Sequence, residues 1–259
     1  MQSLLSALGY REFDVLNEVT TKVYIGGKTF IYKLGTFALG TLPYLEIENR
    51  GGSRYVPRIY STEVIRVSEL PQQLAEPLAS SRKDYMMREP ALYLSKMEYI
   101  QGFPFWDYYE SRGVTPFYLQ KLFMETFAGL RDIHAAGFWH GDLGMPDNIL
   151  LEGSYNNWTR AVIIDVEGGK IVPGEDHADR DVQSLAYMLW SIIVNEDISA
   201  AEDEQGDMIV QDHPLFLSLV DDSIREMPRD RVVLRTLRWI FSSHPTAEEV
   251  VRAVEKLQL

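Results

Sequence analysis

The chain has 259 residues, is 46% apolar, carries a formal net charge of −13 and contains no cysteine. That length and apolar content suit one large domain or two packed lobes; the charge argues against a broad nucleic-acid or anionic-membrane surface, and the missing cysteines exclude disulfides and thiolate metal sites. No run of about 18 apolar residues exists to span a bilayer, residues 1–13 do not read as a signal peptide, and the cytoplasm is the default compartment.

Residues 13–19 read as a first strand. A hairpin follows from Val23 to Lys33, two β-rich runs joined by Gly26-Gly27, because glycine tolerates the positive φ of tight primed turns. Gly27-Lys28-Thr29 imitates part of a Walker A loop, but Lys22 stands where its first glycine belongs and no helix follows, so the reading is a hairpin turn. The stretch 16–24 contains no glycine. Residues 42–49 predict a short helix, with Pro43 near its start and Gly51-Gly52 beyond its end. Residues 56–67 predict another strand. Residues 68–90, polar and broken by Pro71, Pro77 and Ser80-Ser81, read as an inserted long loop or short helix. The apolar run 92–100 is a strand, and 101–105 a turn marking the boundary between an N-terminal lobe, 1–101, and a C-terminal lobe, 102–259.

Residues 116–136 are the clearest helix. Leu119, Leu122, Phe123, Phe127, Leu130 and Ile133 share one face, and Gly137 suits its C-cap. His134 is expected to pack or cap. Next comes His140-Gly141-Asp142-Leu143-Gly144-Met145-Pro146-Asp147-Asn148-Ile149-Leu150, a loop (140–150) with an acid and an amide that runs into apolar residues. Then a buried-looking strand, within 161–168, ends at Asp165, with Glu167 two residues on. Two carboxylates and an amide from adjacent strand ends can hold Mg²⁺ and orient a hydroxyl, which is what phosphoryl transfer needs. Residues 181–193 predict a buried helix. The acidic stretch 196–207 reads as a solvated loop. Residues 215–219 and 232–241 look helical. Thr246 with Glu249 makes a capping box for a last helix, with Val250, Val251, Val254 and Leu257 on its buried face.

In order and spacing these pieces resemble the protein-kinase-like superfamily, as an atypical, compact protein kinase with some features of aminoglycoside phosphotransferases. The resemblance implies an α+β, bilobal fold, with a small mainly β N-lobe and a mainly α C-lobe, that uses ATP and Mg²⁺. It implies that Lys33 touches the α and β phosphates and pairs with Glu46, or with Glu48; that Met97 is the gatekeeper, while the carbonyl of Glu98 and the amide of Ile100 meet the adenine edge; that Asp142 is the base or hydroxyl-orienting acid; that Asn148 and Asp165 hold metal; that His140 braces the loop; and that Asp181 caps its helix and anchors the loop backbone. Asn148 lies six positions after Asp142 where the family spacing is five, so Asp147 is the competing ligand. Other departures are Gly141 in place of the loop arginine, no lysine between Asp142 and Asn148, an Asp-x-Glu pattern at Asp165 and Glu167, a short activation segment without Ala-Pro-Glu, and His244 where that motif's arginine partner stands. The implied activity is transfer of the γ-phosphate to a hydroxyl, first a protein serine or threonine. The alternatives are a small-molecule phosphotransferase and a pseudokinase that binds nucleotide as a scaffold. No nucleic-acid or membrane partner is expected.

Overall fold

The computed structural model describes residues 1–17, 19–36, 38, 40–80, 84–107, 116–155, 157–194, 214–227 and 231–256. Neither the acidic stretch 196–207 nor Leu257 is among them. The chain divides into two compact units, Met1–Ile100 and Gln101–Leu259.

The first unit opens with helix α1 (Gln2–Ala7) and then builds a sheet from β1 (Phe13–Val15), β2 (Thr20–Ile25), β3 (Lys28–Gly35), β4 (Ile59–Arg66) and β5 (Ala91–Glu98), in the order β1-β2-β3-β5-β4. Every neighbouring pair is antiparallel. Gly26 and Gly27, at φ +57° and +75°, form the two-residue turn between β2 and β3, as the Gly-Gly pair predicts. Helix α2 (Leu42–Asn49) falls where the sequence places it, with Pro43 in its first turn.

Residues on one sheet face pair across strands, and this sorts the side chains. Val23, Tyr32, Leu34, Leu92 and Leu94 belong to the core, with Leu4 and Leu5 of α1 beneath them. The segment 68–90 supplies more of that core than a loop would. Helix α3 (Gln72–Ser80) carries Leu74 and Leu78 into it, and Met86 follows from a short 3-10 turn. The prolines and serines suggest a loop, but two leucines four residues apart form one helical stripe, and its burial decides the outcome.

In the second unit, Gln101 begins a chain that enters a strand at once. Residues 102–104 are not only a turn: they form β6 (Gly102–Pro104), paired with β7 (Ile149–Ser154), which in turn pairs with β8 (Asn157–Ile163). Gly102 permits this, since a Cβ there would collide with the carbonyl of Leu151. Helix α4 (Pro116–Ala135) covers the outer edge of β8. Glu125 Oε2 accepts the Ala161 amide at 2.7 Å, and Lys121 Nζ donates to the carbonyls of Trp158 and Thr159. An edge strand so covered leaves few backbone groups unsatisfied. Helix α5 (His177–Val194) is buried along most of its length, and α6 (Pro214–Glu226), α7 (Arg231–Ser243) and α8 (Ala247–Lys256) follow. The capping box opens α8. The Thr246 amide donates to Glu249 Oε2 at 2.8 Å, and the Glu249 amide donates back to Thr246 Oγ1 at 3.2 Å. These donors hold the Glu249 carboxyl below the usual range. Among the described residues, no helix is long and apolar enough to cross a membrane.

Candidate functional site

The β7–β8 hairpin sets the geometry of the candidate residues in the second unit. Ile149 pairs with Ile163, and the Ile164 amide donates to the Asn148 carbonyl at 2.9 Å. Asn148 and Asp165 therefore leave the same end of the hairpin. The loop ends in a 3-10 turn, Pro146–Asn148, that leaves Asp147 exposed and buries Asn148. Asn148 Nδ2 donates to the Asp142 carbonyl at 2.6 Å and to Asp142 Oδ2 at 2.9 Å. Of the two competing ligands, Asn148 is thus the one the fold brings to Asp142. Its amide nitrogen is engaged there, which leaves Oδ1 as the atom able to ligate a cation.

His140 is fully buried and bridges the two strand ends. Its Nε2 lies 2.8 Å from the Ile164 carbonyl, and its Nδ1 accepts the Asp142 amide at 3.2 Å. One neighbour is an acceptor and the other a donor, so the ring is neutral with its proton on Nε2. Burial pushes its pKa down, against the opposing pull of the Ile164 carbonyl. It braces the loop, as the sequence implies.

Asp181 anchors the same loop from α5. It accepts the amides of His140 at 2.5 Å and Gly141 at 2.9 Å, and lies 3.0 Å from His134 Nε2. The expectation that it also caps its helix does not hold. Helix α5 starts at His177, one turn earlier, so Asp181 is an interior position whose side chain is aimed at the loop. His134, expected to pack or cap, is the third group on this carboxylate. His244 finds another acid, with Nδ1 2.8 Å from Asp179 Oδ2.

Asp165 adopts a left-handed backbone, φ +59°. Aspartate tolerates this conformation at a modest cost, and such outliers cluster at functional sites. Val166 is fully buried, and the Glu167 and Gly168 amides both donate to the His140 carbonyl, at 3.2 and 2.7 Å. Among the described residues, no three His, Asp or Glu side chains converge as a closed metal centre. One carboxylate and one amide oxygen from adjacent strand ends fit Mg²⁺ instead, which keeps several waters and takes further oxygens from substrate phosphates.

In the N-terminal unit, Lys33 pairs with Thr20 on one side and Ser95 on the other, and Ile31 pairs with Lys22 and Met97. Lys33 and Met97 therefore share a sheet face with Thr20 and Lys22, opposite the apolar core. Both are buried. Among the described residues Glu46 makes no ion pair, whereas Glu48 Oε1 lies 3.9 Å from Arg58 Nε. The Glu98 amide donates to the Arg58 carbonyl at 2.8 Å. Ile100 is buried at the end of this unit, just past the β5 strand that carries Met97 and Glu98.

Most of the glycine-free stretch is strand β2, and the chain turns into it at Asn17. Asn17 Oδ1 accepts the amides of Val19 at 3.0 Å and Thr20 at 2.8 Å. The Leu16 and Asn17 amides donate to the Thr20 carbonyl, so none of these four described amides is free to cradle a phosphate. Thr21 is buried towards the core; Thr20 is the hydroxyl on the Lys33 face. The sequence reading missed Trp139, which packs against both glycine-flanked segments of the C-terminal site.

No protein-family model matches this chain, and no curated protein matches it. Among solved structures, it is similar to one described as the Rad53 kinase domain and SCD2, at 16% identity and a TM-score of 0.57, over 92% of this chain and 87% of that one. Likeness at this identity shows the fold: a five-stranded antiparallel N-lobe and a helical C-lobe, the α+β bilobal protein-kinase-like fold.

Proposed function

We propose that this protein is an ATP- and Mg²⁺-dependent phosphotransferase that moves the γ-phosphate to a hydroxyl, with a protein serine or threonine as the first acceptor. The observation that carries the reading is the Asp142–Asn148 contact at the end of the β7–β8 hairpin, beside left-handed Asp165.

The roles follow from chemistry. Asp142 accepts hydrogen bonds and is exposed, so it orients the acceptor hydroxyl and takes its proton as the new P–O bond forms. The bond from the γ-phosphorus to the bridging oxygen breaks, and ADP leaves. Asn148 Oδ1 and Asp165 would hold Mg²⁺, which supplies neutralisation of charge on the β and γ phosphates. Lys33 would position the α and β phosphates, with Glu46 or Glu48 as its acid. Met97, the Glu98 carbonyl and the Ile100 amide would meet the adenine.

The second reading is a small-molecule acceptor in a site of the aminoglycoside-phosphotransferase kind. Gly141, the absence of a lysine between Asp142 and Asn148, and the short stretch between Gly168 and α5 favour it. They leave little chain with which to grip a peptide.

Incubation with γ-labelled and, separately, α-labelled ATP and Mg²⁺ tests the proposal, with wild type beside Asp165→Ala. The acceptors are the protein itself, generic protein substrates and a panel of small alcohols and sugars. Label from γ alone, lost in the variant, is expected, and the labelled molecule decides between the two acceptor classes. Label retained from α would replace the reading with nucleotidyl transfer. Stabilisation by Mg·ATP without any transfer would replace it with a nucleotide-binding scaffold.

A further inference from the structure

Trp139 lies immediately before the catalytic loop, and the segment 168–171 runs antiparallel beside it. The Trp139 amide donates to the Gly169 carbonyl at 3.1 Å, the Ile171 amide to the Gly137 carbonyl at 2.9 Å, and Phe138 bridges to Lys170. The indole sits where these two stretches and α5 meet. It stacks on His177 at the start of α5, with ring centroids 4.4 Å apart and planes 13° apart. His177 Nε2 in turn lies 3.1 Å from Glu175 Oε2.

The glycines on either side carry the imprint of this ring. A Cβ at Gly168 would collide with the Trp139 carbonyl and come within 2.8 Å of the indole; one at Gly141 would lie 2.7 Å from Trp139 Cζ3. Any side chain at these positions forces a shift. Gly141 also has φ +90°, which disfavours other residues. Occupation by the indole thus accounts for a glycine, and no cation, ahead of Asp142. Without a cation there, a phosphate added to the following segment has no partner at this position through which to order it.

We propose that Trp139 is the positioning residue that clasps the segment 167–171 to the catalytic loop, so that the metal-holding turn at Asp165 is assembled by packing and not by modification of that segment. The link is short. Glu167 and Gly168, which follow Asp165, both donate to the carbonyl of His140, the residue after Trp139. Loosening the clasp frees the chain two residues from Asp165. The functional half of this inference rests on the phosphotransfer reading; the structural half does not.

The test combines amide hydrogen exchange with Mg²⁺ titration of the ATP-dependent melting shift, on full-length wild type, Trp139→Leu and Trp139→Phe. In Trp139→Leu, exchange at Gly168 and Ile171 should rise roughly tenfold or more relative to α5 core amides. The Mg²⁺ concentration giving half of the ATP-dependent shift should rise about fivefold. Trp139→Phe, which keeps a flat ring against His177 and Gly168, should stay within about twofold of wild type on both readouts. A merely structural tryptophan would lower the melting temperature and leave the Mg²⁺ midpoint where it was, and that result overturns the proposal. So does exchange at Gly168 and Ile171 that is unchanged, or that rises no more than in the α5 core. If wild type shows no Mg·ATP shift, the phosphotransfer reading fails, while the exchange result still decides whether Trp139 clasps the segment. If Trp139→Leu does not fold, His177→Ala removes the stack from the other side, and the same exchange pattern is required of it.

Discussion

The loop 140–150 and the β1–β2 turn are both short connections, one in each unit, but they are built in opposite ways. The loop is held by buried Asp181 from α5, itself contacted by half-buried His134 of α4, and by its own buried His140, which reaches across to the Ile164 carbonyl. The turn is closed by its own Asn17, and its one described tie beyond the hairpin is through backbone, the Leu34 amide donating to the Val19 carbonyl at 2.8 Å. A site fixed by remote, buried polar groups keeps its geometry through local sequence drift. A self-contained turn keeps its shape but offers a ligand few unengaged amides. The difference separates a loop held by groups remote in sequence, in the C-terminal unit, from a turn closed by its own side chain, in the N-terminal one.

Asp181 is the place to break the comparison. Asp181→Ala leaves the buried amides of His140 and Gly141 without their acceptor, which should cost about 3 kcal/mol of stability in denaturant titration. It should also cut transfer by about 100-fold through loss of loop position. A loss of transfer no larger than the loss of folded protein would mean that the loop positions itself.

His140 gives a pH test. Its folded pKa lies below the ordinary value of about 6.5, so the unfolded chain takes up this proton first as pH falls. The stability it contributes is complete above about pH 6.5 and is lost as pH drops from there through the folded pKa. Wild type should lose up to about 1.4 kcal/mol per pH unit in that window relative to His140→Gln, whose stability curve should be flatter. Parallel curves would refute a neutral, buried imidazole.

Asn17→Ala sharpens the other side. Loss of the turn's acceptor should cost about 1 kcal/mol, while the apparent KM for ATP stays within about twofold. A large rise in KM with unchanged stability would make this turn a phosphate loop after all. Thr246→Ala, far from either connection in sequence, should cost roughly 1 kcal/mol and leave transfer at the wild-type rate.

Much of this was legible in the sequence, for identifiable reasons. The Gly26-Gly27 turn, helix α2, the face of α4 and the Thr246–Glu249 box each rest on local rules that the tertiary fold does not contradict. That Asp142 and Asn148 share one loop, braced by His140, was legible because these residue types are chemically specific and come in a fixed order. Three features were not, or only in part. Helix α3 was one of two readings of its segment, long loop or short helix, because its two core leucines matter only once the sheet is there to receive them. The strand β6 depends on a partner about fifty residues away and on a glycine that lets the backbones meet. That Asn148 is buried against Asp142 while Asp147 is exposed depends on the 3-10 turn Pro146–Asn148, which spacing alone does not decide.

The most direct test of the central claim is single-turnover γ-phosphate transfer by Asp147→Ala and Asn148→Ala, each at saturating Mg²⁺ and ATP. The account predicts that Asn148→Ala loses about 100-fold or more, while Asp147→Ala, exposed and away from Asp142, stays within a few-fold of wild type. Loss in Asp147→Ala with transfer retained in Asn148→Ala would contradict the geometry of the loop, and no transfer by wild type with any acceptor would contradict the phosphotransferase itself.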